Sequence, residues 1–399
     1  MEYSKRILKI ALFYLMSHSS IFALEFNWNP LMEPGSGGRL TSLIVSPHDS
    51  NRILLGGDML GVGISLDRGD SWDVTFGFDS WEMADFSWHP TDPNIVWVGS
   101  MSGPYKSEDG GVNWISKRKG MPSPAGHYTA PIERVLFDPN NSERLIAVGG
   151  SHRRWNSPGS PKWGAVWEST DAGETWAQIG SVKNRNIVAA GFAAGSSDIL
   201  YAAVDNTGAF FSEDGGKTWL DITNNLPSTH ISWIEPHPSL PNVAFVAMGN
   251  HKPDGVSQYE PGGIYKTEDY GQTWIAKNNG LAQQKDANTN LTAKYETVVI
   301  CASNPDVLFT GCTSWNNNNP YISKDGGETW KSTAGSVIEF NPHNGDQIVV
   351  GTGGRGYFVS GENVTVIQAS SAQHPQTFKV YANYPNPFNP QTTLKYEIK

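Results

Sequence analysis

The chain has 399 residues, including 42 Gly, 25 Pro and 15 Trp, which is enough for one large all-β domain or two ordinary domains. Its 29 basic and 39 acidic residues give a formal net charge of −10, and no basic run lies beyond the N-terminus. This balance argues against a nucleic-acid partner and favours an acidic, exported protein.

The first 23 residues have the pattern of an export signal. Lys5, Arg6 and Lys9 precede an apolar run at 10–16, and small residues lead to Ala23. The run is too short to cross a bilayer, so we expect cleavage near Ala23 and no membrane span in the mature chain. The pattern predicts a secreted or cell-surface protein.

An eight-residue motif, S/T-x-D-x-G-x-x-W, then occurs six times. Its copies begin at Ser65, Ser107, Ser169, Ser212, Thr267 and Ser323. The Asp can accept hydrogen bonds from the backbone of a tight turn, the Gly permits positive φ, and the Trp begins the next strand. We therefore interpret the motif carboxylates as structural: Asp67, Asp109, Asp171, Asp214, Asp269 and Asp325.

Each motif follows three apolar strands, and the Trp starts a fourth. Four strands per repeat are typical of a propeller blade, and blades are expected to begin near residues 40, 84, 132, 187, 230, 295 and 336. The prediction is an all-β protein, a single seven-bladed β-propeller of four-stranded antiparallel blades over residues 24–366.

The seventh stretch, 337–360, has neither the Asp nor the Trp of the motif. Residues 26–31, which include Trp28, look like a strand that follows a motif. We expect this N-terminal strand to complete the last blade and close the ring, which would remove exposed edge strands.

Surplus residues accumulate between strands two and three, or between blades, at 117–131, 151–164, 251–263, 279–294 and 313–320. Because strands alternate in direction, both classes of loop emerge on one rim and the motifs on the other. Insertions gathered on one face of a repeat protein usually mark its working surface.

The C-terminal part changes character. Residues 367–377 read as a linker, and Tyr384–Pro390 with the following Thr-Thr-Leu-Lys-Tyr resembles the opening of the C-terminal sorting domain of bacterial type IX secretion. The resemblance implies that 378–399 is the start of such a domain, truncated at Lys399, and that the type IX machinery is a partner.

The six motifs resemble the Asp box, or BNR repeat, of sialidases, sortilin-type receptors and two-propeller xyloglucanases. Gly57–Ser65 is similar to the first blade of the xyloglucanases, and this resemblance implies that Asp58 is a catalytic carboxylate. A loop-capping role for Asp58 is equally open. In the xyloglucanases the second carboxylate comes from a second propeller, which this chain lacks.

Asp205 occupies the position in blade four that Asp58 occupies in blade one. Three blades apart, the two carboxylates should be about 15–20 Å apart, whereas a glycosidase pair is separated by about 5–9.5 Å. They are therefore not a catalytic pair. Asp79, Glu82 and Asp85 remain as alternative partners for Asp58.

The insertion rim is rich in side chains suited to sugars, because aromatic faces stack on pyranose rings and polar groups bind hydroxyls. The candidate ligand-binding residues are Trp81, Tyr128, Arg153, Arg154, Trp155, Trp163, Asp205, Tyr259 and Trp315. The alternative is that these aromatic residues pack their own long loops.

Other chemistries fit less well. Sialidases need an arginine cluster that includes an R-I-P-type tripeptide, and the chain has none. His127, His152 and His251 lie on different blades, so neither a metal nor another cofactor is expected. Cys301 and Cys312 form a disulfide or remain as two buried thiols.

Two hypotheses follow. In the first, a secreted propeller binds extracellular polysaccharide, either as a binding protein or as a glycoside hydrolase related to the xyloglucanases. In the second, it is a non-catalytic protein-interaction propeller, like sortilin ectodomains or photosystem assembly factors.

Overall fold

A computed structural model describes the backbone in the following ranges: 29–31, 40–57, 61–80, 83–121, 131–150, 164–182, 186–248, 262–286, 289–292, 295, 297–311, 321–332, 337–340, 348–352, 356–360, 378–380 and 396–398. These residues form strands, turns and irregular segments, with no helix among them. No apolar helix of membrane-spanning length occurs within these ranges. The chain divides into two compact units, Met1–Gly361 and Glu362–Lys399.

Six blades follow one another along the first unit, and each is an antiparallel sheet of four consecutive strands. Blade 1 is Leu40–Val45, Ile53–Gly57, Val62–Ser65 and Asp73–Val74; blade 2 is Met83–Trp88, Val96–Ser100, Tyr105–Ser107 and Ile115–Ser116; blade 3 is Ile132–Asp138, Asn141–Gly149, Gly164–Ser169 and Ala177–Val182. Blade 4 is Ile187–Phe192, Leu200–Val204, Gly208–Ser212 and Leu220–Asp221; blade 5 is Ile231–Pro236, Ala244–Met248, Gly263–Thr267 and Ile275–Ala276; blade 6 is Thr297–Ile300, Leu308–Gly311, Tyr321–Ser323 and Lys331–Ser332.

Two small hairpins lie outside the four-stranded sheets. Gln283–Asp286 pairs with Thr289–Thr292 between blades 5 and 6. Within the second unit, Phe378–Val380 pairs with Tyr396–Ile398.

The prediction of a seven-bladed propeller is wrong, because the described residues form six blades. Six blades each consist of consecutive strands and carry one motif, whereas the remaining four-stranded sheet is composite. It contains Val337–Phe340, Ile348–Thr352 and Gly356–Ser360, and its fourth strand is Asn29–Leu31 from the other end of the unit. The physical reason is that residues 337–360 lack the motif that turns the chain into an outer strand, so the edge is covered by an N-terminal segment.

The composite sheet lies between the last blade and the first. Its strand Val337–Phe340 contacts the innermost strands of both blade 6 (Thr297–Ile300) and blade 1 (Leu40–Val45). The innermost strands of consecutive blades likewise contact one another. The innermost strands therefore surround a central channel.

The core is divided among the junctions between blades. Five clusters of buried apolar side chains are described, one at each junction from blades 1 and 2 to blades 5 and 6. At the junction of blades 2 and 3, for example, Trp97 packs edge-on against the motif residue Trp176, with ring centroids 5.9 Å apart. Because a blade cannot bury its faces alone, stacking on neighbours provides most of its stability.

Cys301 is buried, and its sulfur lies 3.3 Å from the Ser303 hydroxyl. Cys312 lies outside the described residues, so both alternatives for the two cysteines stay predictions.

Candidate functional site

The two rims of the ring differ in structure. In five of the six blades that carry a motif, a backbone N–H within the motif donates to a carbonyl in the connection between strands one and two, as Gly110 does to Asn94 at 2.8 Å and Gly326 to Asp306 at 2.9 Å. In blade 3 the Ala172 N–H donates to the Glu143 carbonyl at 3.0 Å, near the start of strand two. The motifs and these connections therefore share one rim, which we call the turn rim. The connections between strands two and three and between blades occupy the opposite rim, the loop rim.

The motif carboxylates are fully engaged within their own turns. In the blade 3 motif, Asp171 Oδ1 accepts hydrogen bonds from the Ser169 hydroxyl at 2.7 Å and the Thr175 N–H at 2.9 Å, and its Oδ2 accepts the Thr175 hydroxyl at 2.6 Å. The Gly173 N–H donates to Ser169 Oγ at 2.8 Å. The other five motifs repeat this pattern, with a Ser hydroxyl or an Asn amide replacing the last Thr in two of them.

These hydrogen bonds stabilise the charged carboxylates. The Thr175 hydroxyl is the strongest influence on Asp171, and with the backbone and Ser169 it lowers the pKa of Asp171 to about 2. In the other five motifs burial acts to raise the carboxyl pKa, but the hydrogen bonds outweigh it and the net shift is downward. Such saturated carboxylates have no remaining role as proton donors.

On the loop rim, a polar and aromatic cluster joins blades 1 and 2. The hydroxyl of the buried Tyr105 donates a hydrogen bond to the exposed carboxylate of Asp79. The Phe78 ring packs 4.9 Å from the Tyr105 ring, measured between centroids. Burial lowers the pKa of Arg118, and the negative charge of Asp79 acts in the opposite direction, so the two groups lie in one electrostatic environment. We call Phe78, Asp79, Tyr105 and Arg118 the rim cluster.

The rim cluster adjoins the loop that carries the predicted catalytic residue. The Gly57 N–H donates to the Gly61 carbonyl at 3.0 Å, which fixes the two ends of this short loop. A Cβ built on Gly61 would lie 3.2 Å from Phe78 Cδ2, so the backbone at Gly61 packs closely against the edge of that ring. Asp58 itself lies outside the described residues.

Most of the predicted ligand residues likewise lie outside the part of the chain that the structure describes. Outside the described residues lie Asp58, Trp81, Tyr128, Arg153, Arg154, Trp155, Trp163, Tyr259 and Trp315. The described strands that flank these segments end or begin at the loop rim, as Asn141–Gly149 and Gly164–Ser169 of blade 3 do. Glu82, one of the alternative partners for Asp58, also lies outside the described residues.

Asp205 is the described member of the predicted ligand set. It is half-buried in a tight turn of blade 4, closed by a hydrogen bond from the Thr207 N–H to the Val204 carbonyl at 3.0 Å. The Asp205 N–H donates to the Asn186 carbonyl at 2.9 Å, and the Asn186 amide donates to Glu133 Oε1 at 2.9 Å. Asp205 therefore lies on the loop rim within a polar group shared by blades 3 and 4.

A second polar cluster, not foreseen from the sequence, lies in the central channel. Arg134 Nε is 2.9 Å from Asp85 Oδ2, its Nη1 donates to the Ala190 carbonyl at 3.2 Å, and Nη1 is 3.8 Å from Glu235 Oε2. The guanidinium also lies 5.6 Å from the centroid of Trp233. One side chain of blade 3 thus contacts blades 2, 4 and 5, and Asp85 is engaged by Arg134.

Burial raises the pKa of Glu235, and the nearby negative charge of Asp85 adds to this, although Arg134 and the Trp233 N–H oppose it. The available sequence signal was the charged pair Glu133-Arg134 inside an otherwise apolar innermost strand. Among the described residues, no group of three or more His, Cys, Asp or Glu side chains is arranged to hold a metal ion.

Comparison with known proteins shows that the chain is similar to other β-propellers. Residues 161–374 match the family model described as the DUF6242 beta propeller domain. Xyloglucanase Xgh74A of Acetivibrio thermocellus is 21% identical over 370 residues, covering 79% of this chain and 41% of the relative. An oligoxyloglucan-reducing end-specific xyloglucanase of Emericella nidulans is 26% identical over 204 residues, covering 47% of this chain and 23% of the relative. The chain thus spans less than half the length of these relatives.

Solved structures show the same fold. An ancestral GH74 enzyme superposes with a TM-score of 0.67 at 18% identity, covering 84% of this chain and 46% of that one. YCF48 from Cyanidioschyzon merolae superposes with a TM-score of 0.54 at 16% identity, covering 84% of this chain and 98% of the other.

Proposed function

The chain belongs to the DUF6242 beta propeller domain family, and we propose that it is an exported propeller that binds extracellular polysaccharide through its loop rim. The observation that carries the proposal is the match to a xyloglucanase over 370 residues. The rim cluster is suited to this role, since it combines the partly exposed Phe78 ring with an exposed carboxylate and a guanidinium. The turn rim offers no comparable group among its motif carboxylates, because each is saturated by its own turn.

Binding and hydrolysis are separate parts of the proposal. Asp58 is proposed as the carboxylate that a hydrolytic site would use, and the aromatic and Arg residues predicted on the loop rim as sugar contacts. Asp205 is proposed as a ligand contact from blade 4, where its half-exposed position supports that role. The Asp-box character of the motifs is supported by their uniform hydrogen bonding, in which Ser or Thr, Asp and Gly act together.

The route of export belongs to the same proposal. Residues 1–23 are proposed as the signal peptide, 24–366 as the propeller, 367–377 as a linker, and 378–399 as the start of a type IX sorting domain. The division of the chain into compact units after Gly361 supports a boundary in this region.

The test begins with a glycan array on the recombinant chain, followed by measurement of reducing ends released from xyloglucan and mixed-linkage glucan. We expect saturable binding to a β-glucan. If the chain also hydrolyses, Asp58→Asn abolishes release and retains binding, whereas the matched variant Glu143→Gln, at an exposed carboxylate of the turn rim, leaves both release and binding intact. Absence of binding to every polysaccharide would contradict the proposal.

A second candidate function is supported by a specific observation. The YCF48 structures are covered over 98% of their length, whereas the GH74 structure is covered over 46%, and one of the former is described as YCF48 bound to D1 peptide. A single propeller of this kind acting as a protein-interaction scaffold predicts saturable binding of peptides and no binding of glycans. A peptide array on the same preparation distinguishes the two functions.

A further inference from the structure

A histidine ring closes the connection between the first two strands of blade 5, on the turn rim. His237 directly follows the strand Ile231–Pro236, and its Nδ1 accepts hydrogen bonds from the backbone N–H groups of Ser239 at 3.2 Å and Leu240 at 3.1 Å. Because a backbone N–H can only donate, the Nδ1 atom must carry a lone pair and no proton. The closed connection therefore requires a neutral imidazole ring.

The corresponding residues of two other blades also cap this connection, and each of the three is followed by a proline. His89 in blade 2 accepts at Nδ1 from the N–H groups of Thr91, at 3.2 Å, and Asp92, at 2.9 Å. In blade 3 the residue is Asp138, whose Oδ1 accepts from the Asn140 N–H at 2.8 Å. A carboxylate keeps its acceptor in mild acid, whereas an imidazole loses it on binding a proton. The blade 5 connection should therefore respond to a change of pH that leaves the blade 3 connection unaffected.

The blade 5 connection also supports its surroundings. The Pro241 carbonyl accepts a hydrogen bond from the hydroxyl of the buried Tyr201 in blade 4 at 2.8 Å. The Asn242 carbonyl accepts the N–H of the motif residue Tyr270 at 3.1 Å, and the Asn242 amide donates to the Glu268 carbonyl at 2.6 Å. Opening the connection would loosen both the junction of blades 4 and 5 and the motif turn of blade 5.

Two charged side chains act on the His237 ring in opposite directions. Lys266, on the third strand of blade 5, disfavours protonation and is itself paired with Glu268 at 2.6 Å, whereas Asp306, in the corresponding connection of blade 6, favours it. Burial is the largest influence, and together with Lys266 it lowers the pKa of His237 below its ordinary value of 6.5. The unfolded chain therefore takes up the proton first. The stability that the cap supplies is present above pH 6.5 and is lost as the pH falls below that value.

We propose that His237 is an acid-sensitive switch of the turn rim: its neutral ring holds the blade 5 connection closed, and protonation of Nδ1 opens it. A protonated Nδ1 carries an N–H that points at two other N–H donors, so both hydrogen bonds of the cap are lost together. The contacts of the connection with Tyr201 and Tyr270 weaken at the same time. The switch is independent of the proposed polysaccharide function, because it lies on the turn rim and uses none of the loop-rim residues.

The test is hydrogen exchange of the full chain, measured by mass spectrometry at pH 7.5 and pH 5, with each rate divided by the intrinsic rate at that pH. We expect the protection of backbone amides in 239–243 to fall about fivefold at pH 5. Amides in 140–143 are the internal control. Burial acts to raise the pKa of Asp138, but its hydrogen bonds with Arg144 and Ser197 outweigh this, so its carboxylate stays charged and protection there should not change. An equal fall in the two connections would overturn the proposal.

His237→Asn separates the cap from its titration. The Asn Oδ1 can accept the Ser239 N–H, as Asp138 accepts that of Asn140, and it binds no proton in this range. We expect its protection at 239–243 to be the same at both pH values, whereas His237→Ala should be weakly protected at both. Wild-type protection that does not change with pH, or a fall in folded His237→Asn as large as in the wild type, would contradict the switch.

Discussion

At the residue scale, the motif depends on two successive left-handed positions after its Asp. The first is occupied by a non-glycine residue in three motifs, Arg68, Ala172 and Tyr270, with φ of 65°, 54° and 60°. The second is always Gly, and in blade 3 a Cβ added to Gly173 would lie 2.2 Å from Trp97 Cη2 on the neighbouring blade. This invariant Gly is therefore required both for backbone conformation and for packing between blades.

We expect Gly173→Ala to lower the free energy of unfolding by about 2–4 kcal/mol, because it combines a left-handed alanine with overpacking against Trp97. Ala172→Gly is the matched control. It relieves a strained φ of 54° but increases the entropy of the unfolded chain, so its effect should stay within about 1 kcal/mol. Urea unfolding of the two variants measures both values, and effects of similar size would contradict the packing argument.

The lowered pKa values of the motif carboxylates predict acid sensitivity. A carboxyl whose pKa is depressed in the folded state stabilises that state above its ordinary pKa, and the stabilisation is lost as pH falls through the folded value. For Asp171 the window runs from its ordinary value of 3.8 down to about 2. We therefore expect the melting temperature to fall steeply between about pH 4 and pH 2.

Asp171→Asn tests whether the Asp171 carboxylate contributes to this loss of stability at low pH. The variant should be less stable than the wild type at pH 6, and the difference should shrink toward pH 2, where the wild-type carboxyl is becoming protonated. A difference in melting temperature that is constant from pH 6 to pH 2 would show that the charge of Asp171 does not contribute.

At the scale of elements, an ion-pair network joins blades 3 and 4 on the turn rim. Arg144 Nε lies 2.7 Å from Glu168 Oε1, and its Nη1 lies 2.8 Å from Asp138 Oδ2 and donates to the Ser197 carbonyl at 2.7 Å. Asp138 is 2% exposed, so its charge depends on this partner. Most other blades have an aliphatic residue at the position of Arg144. The network therefore replaces apolar packing at this position.

We expect Arg144→Met to lower the free energy of unfolding by about 3–5 kcal/mol, because it leaves a buried carboxylate without its cation. Arg52→Met in blade 1 is the matched control: Arg52 Nη1 donates to the Asp109 and Gly110 carbonyls, at 3.3 and 2.7 Å, and neither bond involves a carboxylate. Its loss should cost about 1 kcal/mol. Chemical unfolding of both variants measures their free energies of unfolding. Equal losses in the two variants would contradict the role given to the Arg144 ion pairs.

Much of the element pattern was predictable, because the motif fixes the position of each outer strand. The innermost strands were expected to begin near residues 84, 230 and 295, and they begin at Met83, Ile231 and Thr297. The channel cluster around Arg134 was not predictable, since its four members come from three blades and meet only after the ring has formed. The composite sheet was expected in part, because the N-terminal strand was predicted to complete the last sheet, and Asn29–Leu31 pairs with Gly356–Ser360.

At the scale of the whole molecule, the N-terminal strand ties distant parts of the first unit together. Asn29–Leu31 pairs with Gly356–Ser360 and covers an edge that the local sequence leaves open. We expect deletion of residues 24–32 to lower the melting temperature by several degrees, since a 1 kcal/mol loss alone shifts a large domain by about 2–4 °C. Deletion of 378–399, within the other compact unit, should leave it unchanged. Equal melting temperatures for the full chain and the 24–32 deletion would contradict the role of this strand.

The sequence predicts a location for the candidate site but not its composition. Strand alternation predicts that the insertions lie on the rim opposite the motifs, and because most of the predicted ligand residues lie outside the described ranges, that location stays a prediction. Contacts between blades, such as the hydrogen bond from Tyr105 to Asp79, depend on packing that no local pattern specifies. The rim cluster could therefore be found only in the folded ring.

The central claim is that the loop rim carries the function and the turn rim is structural. The most direct measurement compares the affinity for the best array polysaccharide, by isothermal titration calorimetry, of Arg118→Ala on the loop rim with that of Glu143→Ala, an exposed residue of the turn rim. The account predicts at least tenfold weaker binding for Arg118→Ala, with both proteins folded, and wild-type affinity for Glu143→Ala. Unchanged binding in Arg118→Ala together with weakened binding in Glu143→Ala would contradict it.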